Sequence, residues 1–311
     1  MLYTQEVVMH QKDDSSKKAM SLKVKNAMIG YSFILPNFIG FAVFILIPVI
    51  FTLVLSVMKW DGFNAMQFVG LDNFKAIFSD RVFKAAFFKT IQYVFFTVLF
   101  TLVSALGLAM ALNTKIKGRD GFRAAIFFPY VASMVAVGAV WKQLFEKNFG
   151  PINQVLRALG VDNPPGWFAS SDWAITGIII VSVWKFMGYY MLIYLAGLQD
   201  IPAQLYEAAT IDGANKWQKF RKITMPMLTP SSFFVFIMLT INSFKSFDIV
   251  YVLTQGGPGT STTLMVNYIY DQSFQYWNYG MASASSIILF VIVLAITIIQ
   301  FRGEKKFTDY L

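Results

Sequence analysis

Three ionisable side chains stand inside long apolar runs of this 311-residue sequence: Lys185, Lys245 and Asp248. A charge in hydrocarbon is costly, so one retained there marks a solute path or a structural ion pair. Lys245 and Asp248 are three residues apart, a spacing that lets them pair on one helix face. Asn242, Ser243 and Ser246 lie around that face, and Tyr189 lies one turn from Lys185. Hydrogen-bonding groups beside aromatic faces are the ingredients of a sugar site. Two structural roles fit the same residues. Lys245 and Asp248 can hold helices together as an ion pair, and Lys185 can snorkel to a boundary.

Covalent and metal chemistry have little to work with. The sequence has no cysteine, which excludes disulfides, zinc–thiolate sites and thiol catalysis. Its one histidine, His10, lies in a polar tail. No GxxxxGK[ST] phosphate loop occurs, so any ATP that drives the protein is hydrolysed on another chain.

A second polar stretch, Asp200 to Pro226, separates two long apolar runs. It reads as two short helices joined by a turn. Asp200 suits the first N-cap and Pro202 the first turn. Leu205, Ala208 and Ala209 share one face. Gly213 can take a positive φ in the turn, and Asn215 can cap the second helix. Lys216, Lys219, Arg221 and Lys222 form a basic margin suited to an anionic membrane surface. Pro226 is placed to end the second helix.

The elements that position these residues are membrane spans. The chain is 56% hydrophobic and 14% charged, against about 25% charged in soluble domains. Six apolar runs approach the roughly 20 residues a spanning helix needs. They cover 29–58, 90–112, 124–145, 174–198, 228–253 and 282–301. Pro36 and Pro48 predict kinks in the first. The fold expected is all-α, a polytopic membrane protein with six transmembrane helices and a helix–turn–helix loop. Residues 27–303 form the membrane domain, residues 1–26 a mostly disordered tail and residues 304–311 a second tail.

Charge orients the spans. With the N-terminus inside, the inner segments hold 16 of the 26 Lys and Arg residues and the outer segments 8. That excess follows the positive-inside rule and puts both termini and the 200–226 loop in the cytoplasm. The basic residues sit between apolar runs, which favours a bilayer over nucleic acid as their partner. The outer loops are turn-rich and aromatic, and residues 72–89 can form an amphipathic helix at the outer surface.

Letter spacing adds a resemblance. Glu207-Ala208-Ala209, then Gly213, Ile223 and Met225-Pro226 resemble the EAA loop of ABC importer permeases, with Met225 replacing the usual Leu. Phe68-Val69-Gly70-Leu71-Asp72-Asn73-Phe74 resembles the first outer loop of sugar permeases. Trp141 with Gly150, Asn153 and Gly160 resembles the second. Leu195-Ala196-Gly197-Leu198-Gln199 and Phe247-Asp248 followed by Tyr251 to Pro258 are similar to the maltose-type, or multiple-sugar, branch. The resemblance implies a non-catalytic MalF-like subunit of a bacterial inner or plasma membrane importer of sugar, or of another polar solute such as glycerol phosphate. It implies a second related permease as heterodimer partner, an ATPase dimer that carries ATP and magnesium, and an extracellular or periplasmic solute-binding protein. It makes Glu207, Ala208, Ala209, Gly213, Ile223 and Pro226 the ATPase-coupling residues. It puts Lys185, Tyr189, Asn242, Ser243, Lys245, Ser246 and Asp248 in stretches that line the solute path. A channel or ion-coupled carrier acting alone is disfavoured, because no internal repeat is visible and intramembrane carboxylates are few.

Overall fold

The computed structural model describes residue 22, residues 24–114 and residues 116–308, with side chains as far as 303. His10, most of the expected N-terminal tail, Lys115 and the side chains of Lys305 and Lys306 lie outside the described residues. The chain separates into two units at Leu55/Ser56.

Among its described residues the first unit is almost wholly one apolar helix, α1 (Val24–Ser56), whose last residue opens the second unit. It begins inside the stretch read as a tail. Helix passes through both prolines. Before Pro48 it widens to a π-turn, Ala42–Leu46, in which Ile47 N–H bonds the Ala42 carbonyl. Proline has no N–H and its ring crowds the carbonyl four residues back, so a wider turn relieves the clash.

The second unit opens with a small antiparallel hairpin, β1 (Met58–Lys59) and β2 (Gln67–Phe68), with Met58 opposite Phe68. Asp61 makes its bend. Its Oδ1 accepts from Asn64 N–H at 2.9 Å and Phe63 N–H at 3.0 Å. These bonds to the charged form hold its carboxyl down to about 2. Asn73, at the start of α2 (Asp72–Ser79), donates Nδ2 to the carbonyls of Ser56 at 2.9 Å and Met58 at 2.8 Å.

The single helix expected over 72–89 is two helices. Asp80 leaves helical geometry at ψ 123° and its Oδ1 accepts from Val82 N–H at 2.7 Å, capping α3 (Arg81–Leu112). Asp80 also accepts from the Tyr268 hydroxyl at 2.7 Å. A carboxylate that caps one helix and anchors another breaks the run more firmly than its apolar pattern continues it.

The remaining helices are α4 (Arg119–Val131), α5 (Met134–Leu144), α6 (Pro151–Ala158), α7 (Ala174–Gln199), α8 (Ala203–Ile211), α9 (Lys216–Met227), α10 (Thr229–Phe244), α11 (Asp248–Leu253), α12 (Met265–Tyr270) and α13 (Tyr279–Thr308). The last runs past 303 into the stretch read as a tail. Four helices, α1, α3, α7 and α13, are each long and apolar enough to cross a membrane. Two bent pairs, α4–α5 at 99° and α9–α10 at 64°, bring the number up to six if each pair makes one crossing. The expected third run is therefore a broken span, and the expected fifth run stops at Phe244.

The core lies where α3 and α7 pack along their lengths, with α10 against both. Small residues bring the backbones close. Ala105 and Ala109 of α3 are fully buried. Gly188 of α7 faces the Ile126 carbonyl of α4, and any side chain there would collide with that backbone. Without a hydrophobic drive between helices in lipid, such close contact is a main source of cohesion.

Candidate functional site

The loop between α7 and α10 is built by local rules. α8 ends in a Schellman turn. Gly213 sits at φ 75°, its N–H bonds the Thr210 carbonyl at 3.1 Å, and Ala214 N–H reaches the Ala209 carbonyl at 2.8 Å. Asn215 then caps α9 in a reciprocal box with Gln218, with bonds of 2.9 and 2.8 Å. Two other expectations fail. Asp200 does not cap α8, because Pro202 holds the N-cap position and no side chain bonds there. Pro226 does not end α9, which runs to Met227 and bends at Leu228. A π-turn, Phe220–Thr224, precedes the proline, with Met225 N–H on the Phe220 carbonyl, and the wider turn relieves the proline ring's clash with the preceding turn, so helix continues beyond it.

Half of the loop faces in. The Tyr206 hydroxyl meets Thr224 Oγ1 at 2.9 Å, and Tyr206 and Ile223 pack on the main core. Ala209 and Pro226 are half-buried. Glu207, Ala208 and Gly213 are exposed. Leu205, Ile211 and Trp217 are exposed beside them, Ile211 at 87%. The loop thus presents a bend with an apolar surface and the exposed carboxylates of Glu207 and Asp212.

The second group of residues surrounds a break in α10. Helix stops at Phe244 and resumes at Asp248. Ser246 turns its hydroxyl to Tyr93 of α3 at 3.1 Å, and Tyr93 also meets Ser182 of α7 at 2.9 Å. Serine hydroxyls that bond elsewhere weaken the helical alternative. The break corrects the expected pairing of Lys245 with Asp248. Among the described residues the ion pairs are Asp72–Lys75 and Asp120 with Arg119 and Arg123, and this pair is not one of them. Lys245 and Asp248 are instead both exposed, as is Asn242, whose Nδ2 donates to the Tyr190 hydroxyl at 3.3 Å. Ser243 is fully buried.

Lys185 takes a different part from its expected one. It is buried on α7, and its Nζ donates to the carbonyls of Ala132 at 2.8 Å, Pro129 at 3.1 Å and Tyr130 at 3.3 Å. These belong to the end of α4 and the residue just after it, where the 99° break leaves carbonyls without intrahelical partners. An ammonium group has three donors and all are in use. Lys185 caps the broken end of α4.

Beside it the Tyr130 ring lies on the Tyr189 ring, with centroids 4.4 Å apart and planes 12° apart. Tyr190 meets Tyr189 edge-on at 5.1 Å. Past the α10 break, Phe247, Tyr251, Tyr270 and Phe274 form a second run of rings at 4.8–5.4 Å spacing. The sequence pattern singled out Tyr189 but missed Tyr93, Tyr130, Ser182, Tyr190 and Tyr270. Pro129 inside an apolar run was the one available signal for Tyr130. Among the described residues no cluster of His, Cys, Asp and Glu could hold a metal ion.

A family model, binding-protein-dependent transport system inner membrane component, matches residues 103–308. The chain is 39% identical to the probable ABC transporter permease protein YesP of Bacillus subtilis, over 96% of each chain. It is 38% identical to the trehalose/maltose transport system permease protein MalF of Thermococcus litoralis, over 90% of this chain and 95% of that one. A chain from the crystal structure of a bacterial ABC transporter that imports the acidic polysaccharide alginate superposes with a TM-score of 0.80 at 25% identity. It covers 91% of this chain and 97% of its own. With a family match over more than half its length and relatives matched nearly end to end, this chain belongs to the binding-protein-dependent transport system inner membrane components.

Proposed function

We propose that the chain is one of two related permease subunits of an ATP-driven importer, and that its solute is a sugar. The observation that carries this reading is the exposed set Asn242, Lys245 and Asp248 at the α10 break, with the Asn242 amide on Tyr190, whose ring meets Tyr189 edge-on. Polar side chains at membrane depth do not face lipid, so they face a cavity or a partner. An amide, an ammonium and a carboxylate beside aromatic rings suit a molecule with many hydroxyls and apolar ring faces. Ser243 and Ser246 support this wall from behind. The trehalose/maltose and alginate assignments of the two relatives support sugar over glycerol phosphate.

The 200–226 loop docks a separate ATPase dimer, which carries ATP and magnesium. Leu205, Ala208, Ile211 and Trp217 supply the apolar contact, Gly213 the bend, and Glu207 a charge-assisted hydrogen bond to a basic group on the ATPase. The positive-inside excess puts this loop and both termini in the cytoplasm, so a solute-binding protein delivers sugar at the opposite face.

The test is reconstitution of the importer with its binding protein in proteoliposomes. Asn242→Ala should lower uptake about tenfold with the ATPase still bound, the loss expected from one or two buried hydrogen bonds. Glu207→Lys should abolish uptake and either release or uncouple the ATPase. Normal uptake in both variants ends the reading.

A further inference from the structure

We infer that Tyr93 is a positioning residue: by drawing Ser246 out of helix it keeps Lys245 and Asp248 apart, and so available to the solute. The inference rests on the sugar-path reading above and names what holds the charges of that path open.

The direction of the hydrogen bonds follows from counting protons. Tyr93 and Ser182 are fully buried and Ser246 is nearly so. The Tyr93 hydroxyl lies 2.9 Å from Ser182 Oγ and 3.1 Å from Ser246 Oγ. A serine hydroxyl has one proton to give. Ser182 gives its proton to the Ile178 carbonyl at 2.8 Å. Tyr93 therefore donates to Ser182, and Ser246 donates to Tyr93. The relay runs one way, from the α10 break through α3 to α7.

That commitment costs Ser246 its place in a helix. A helical serine commonly turns its hydroxyl to a carbonyl one turn back. Ser104, Ser182, Ser285 and Ser286 do so here. Ser246 cannot, because its proton goes to Tyr93. Its N–H bonds the Ser243 carbonyl, three residues back, at 3.2 Å. Phe247 then leaves helical geometry at φ −122°, and helix resumes at Asp248. In a continuous helix Lys245 and Asp248 would stand one turn apart on one face and pair. Such a pair spends on itself the donors and acceptors that a solute would use. Across the break both side chains are exposed, and they are not an ion pair among the described residues. The Tyr93 ring packs in the core; the hydroxyl does the positioning.

The unmodified chain has no cysteine, so Lys245→Cys is a single reporter in the assembled importer. Methanethiosulfonate ethylammonium and methanethiosulfonate ethylsulfonate are the probes. The ratio of cation to anion labelling rates senses a carboxylate near the thiol. Tyr93→Phe keeps the ring and removes the hydroxyl. It should let helix close across the break, bring Asp248 within a turn of the thiol and raise the ratio about tenfold. Adding Asp248→Asn should abolish the rise. Ser246→Ala cuts the relay at its donor end with Tyr93 intact, and should give the same rise. An unchanged ratio in either variant that assembles, or a rise that survives Asp248→Asn, overturns the inference.

Uptake of trehalose and maltose by the reconstituted importer separates positioning from plain packing. In the cysteine-free chain Tyr93→Phe should raise KM about tenfold and keep the maximal rate within about twofold. Ser246→Ala should match it. The double variant should be no worse than either single one, because all three cut the same relay. A fall in maximal rate at unchanged KM, or additive losses, overturns the positioning role and leaves the sugar path standing. Lys245→Gln and Asp248→Asn test that path without touching Tyr93. An unchanged KM in both, or no uptake of either sugar by the unmodified importer, sinks the sugar path itself. The labelling ratio then decides alone whether Tyr93 holds the two charges apart.

Discussion

The loop between α8 and α9 and the break between α4 and α5 are both sharp reversals in a helical chain, and they are held in opposite ways. The loop is held from within. Its Schellman turn spans Ala209 to Ala214, its capping box spans Asn215 to Gln218, and Lys219 Nζ meets Thr210 Oγ1 at 2.7 Å. The break is held from outside, by a lysine more than 50 residues along the chain. The reason lies in the solvent. A loop at the aqueous boundary can give orphan carbonyls and amides to water, so short-range capping is enough. A break at membrane depth has no water to turn to, and each freed carbonyl needs a protein donor.

The contrast makes graded predictions. The largest effect is expected at Lys185. Lys185→Met leaves three carbonyls without their charged donor and should destabilise the complex by about 2–3 kcal/mol, the worth of a charge-assisted hydrogen bond. Thermal unfolding of the detergent-solubilised complex measures it. Next is Gly213→Val. Open space surrounds Gly213, so no clash follows, and the cost is the left-handed φ alone, about 1–2 kcal/mol. The variant should stay in the membrane with its partner permease and lose ATPase coupling, read as sugar-stimulated ATP hydrolysis. The smallest is Asn215→Ala, which removes one cap worth about 1 kcal/mol. It should lower the unfolding midpoint slightly and leave uptake measurable. If Lys185→Met proves no more harmful to stability than Asn215→Ala, the long-range clamp is no stronger than a local cap and the contrast fails.

Legibility follows the same division. Gly213 and Asn215 were readable as turn and cap, because glycine at positive φ and asparagine at an N-cap depend only on neighbours. Asp200 and Pro226 misled for a related reason, since a helix boundary is settled by small differences among adjacent candidates. The pairing of Lys245 with Asp248 rested on an unbroken helix. The bond from Ser246 to Tyr93, 153 residues away, accompanies the break there, and no window of sequence contains both partners.

Composition and charge placement by themselves determined a helical membrane protein with about six crossings, because a bilayer admits few alternatives and writes its thickness into run length. The turn at Gly213 and the cap at Asn215 in the 200–226 loop were determined too, because their geometry is local, whereas the helix boundaries expected at Asp200 and Pro226 were not. The tertiary structure alone decided that the third span breaks after Pro129, that Lys185 caps it, and that Tyr130 lies on Tyr189. Those outcomes depend on which carbonyls come within about 3 Å of an ammonium once two helices have packed at Gly188, a distance that no spacing along the chain encodes.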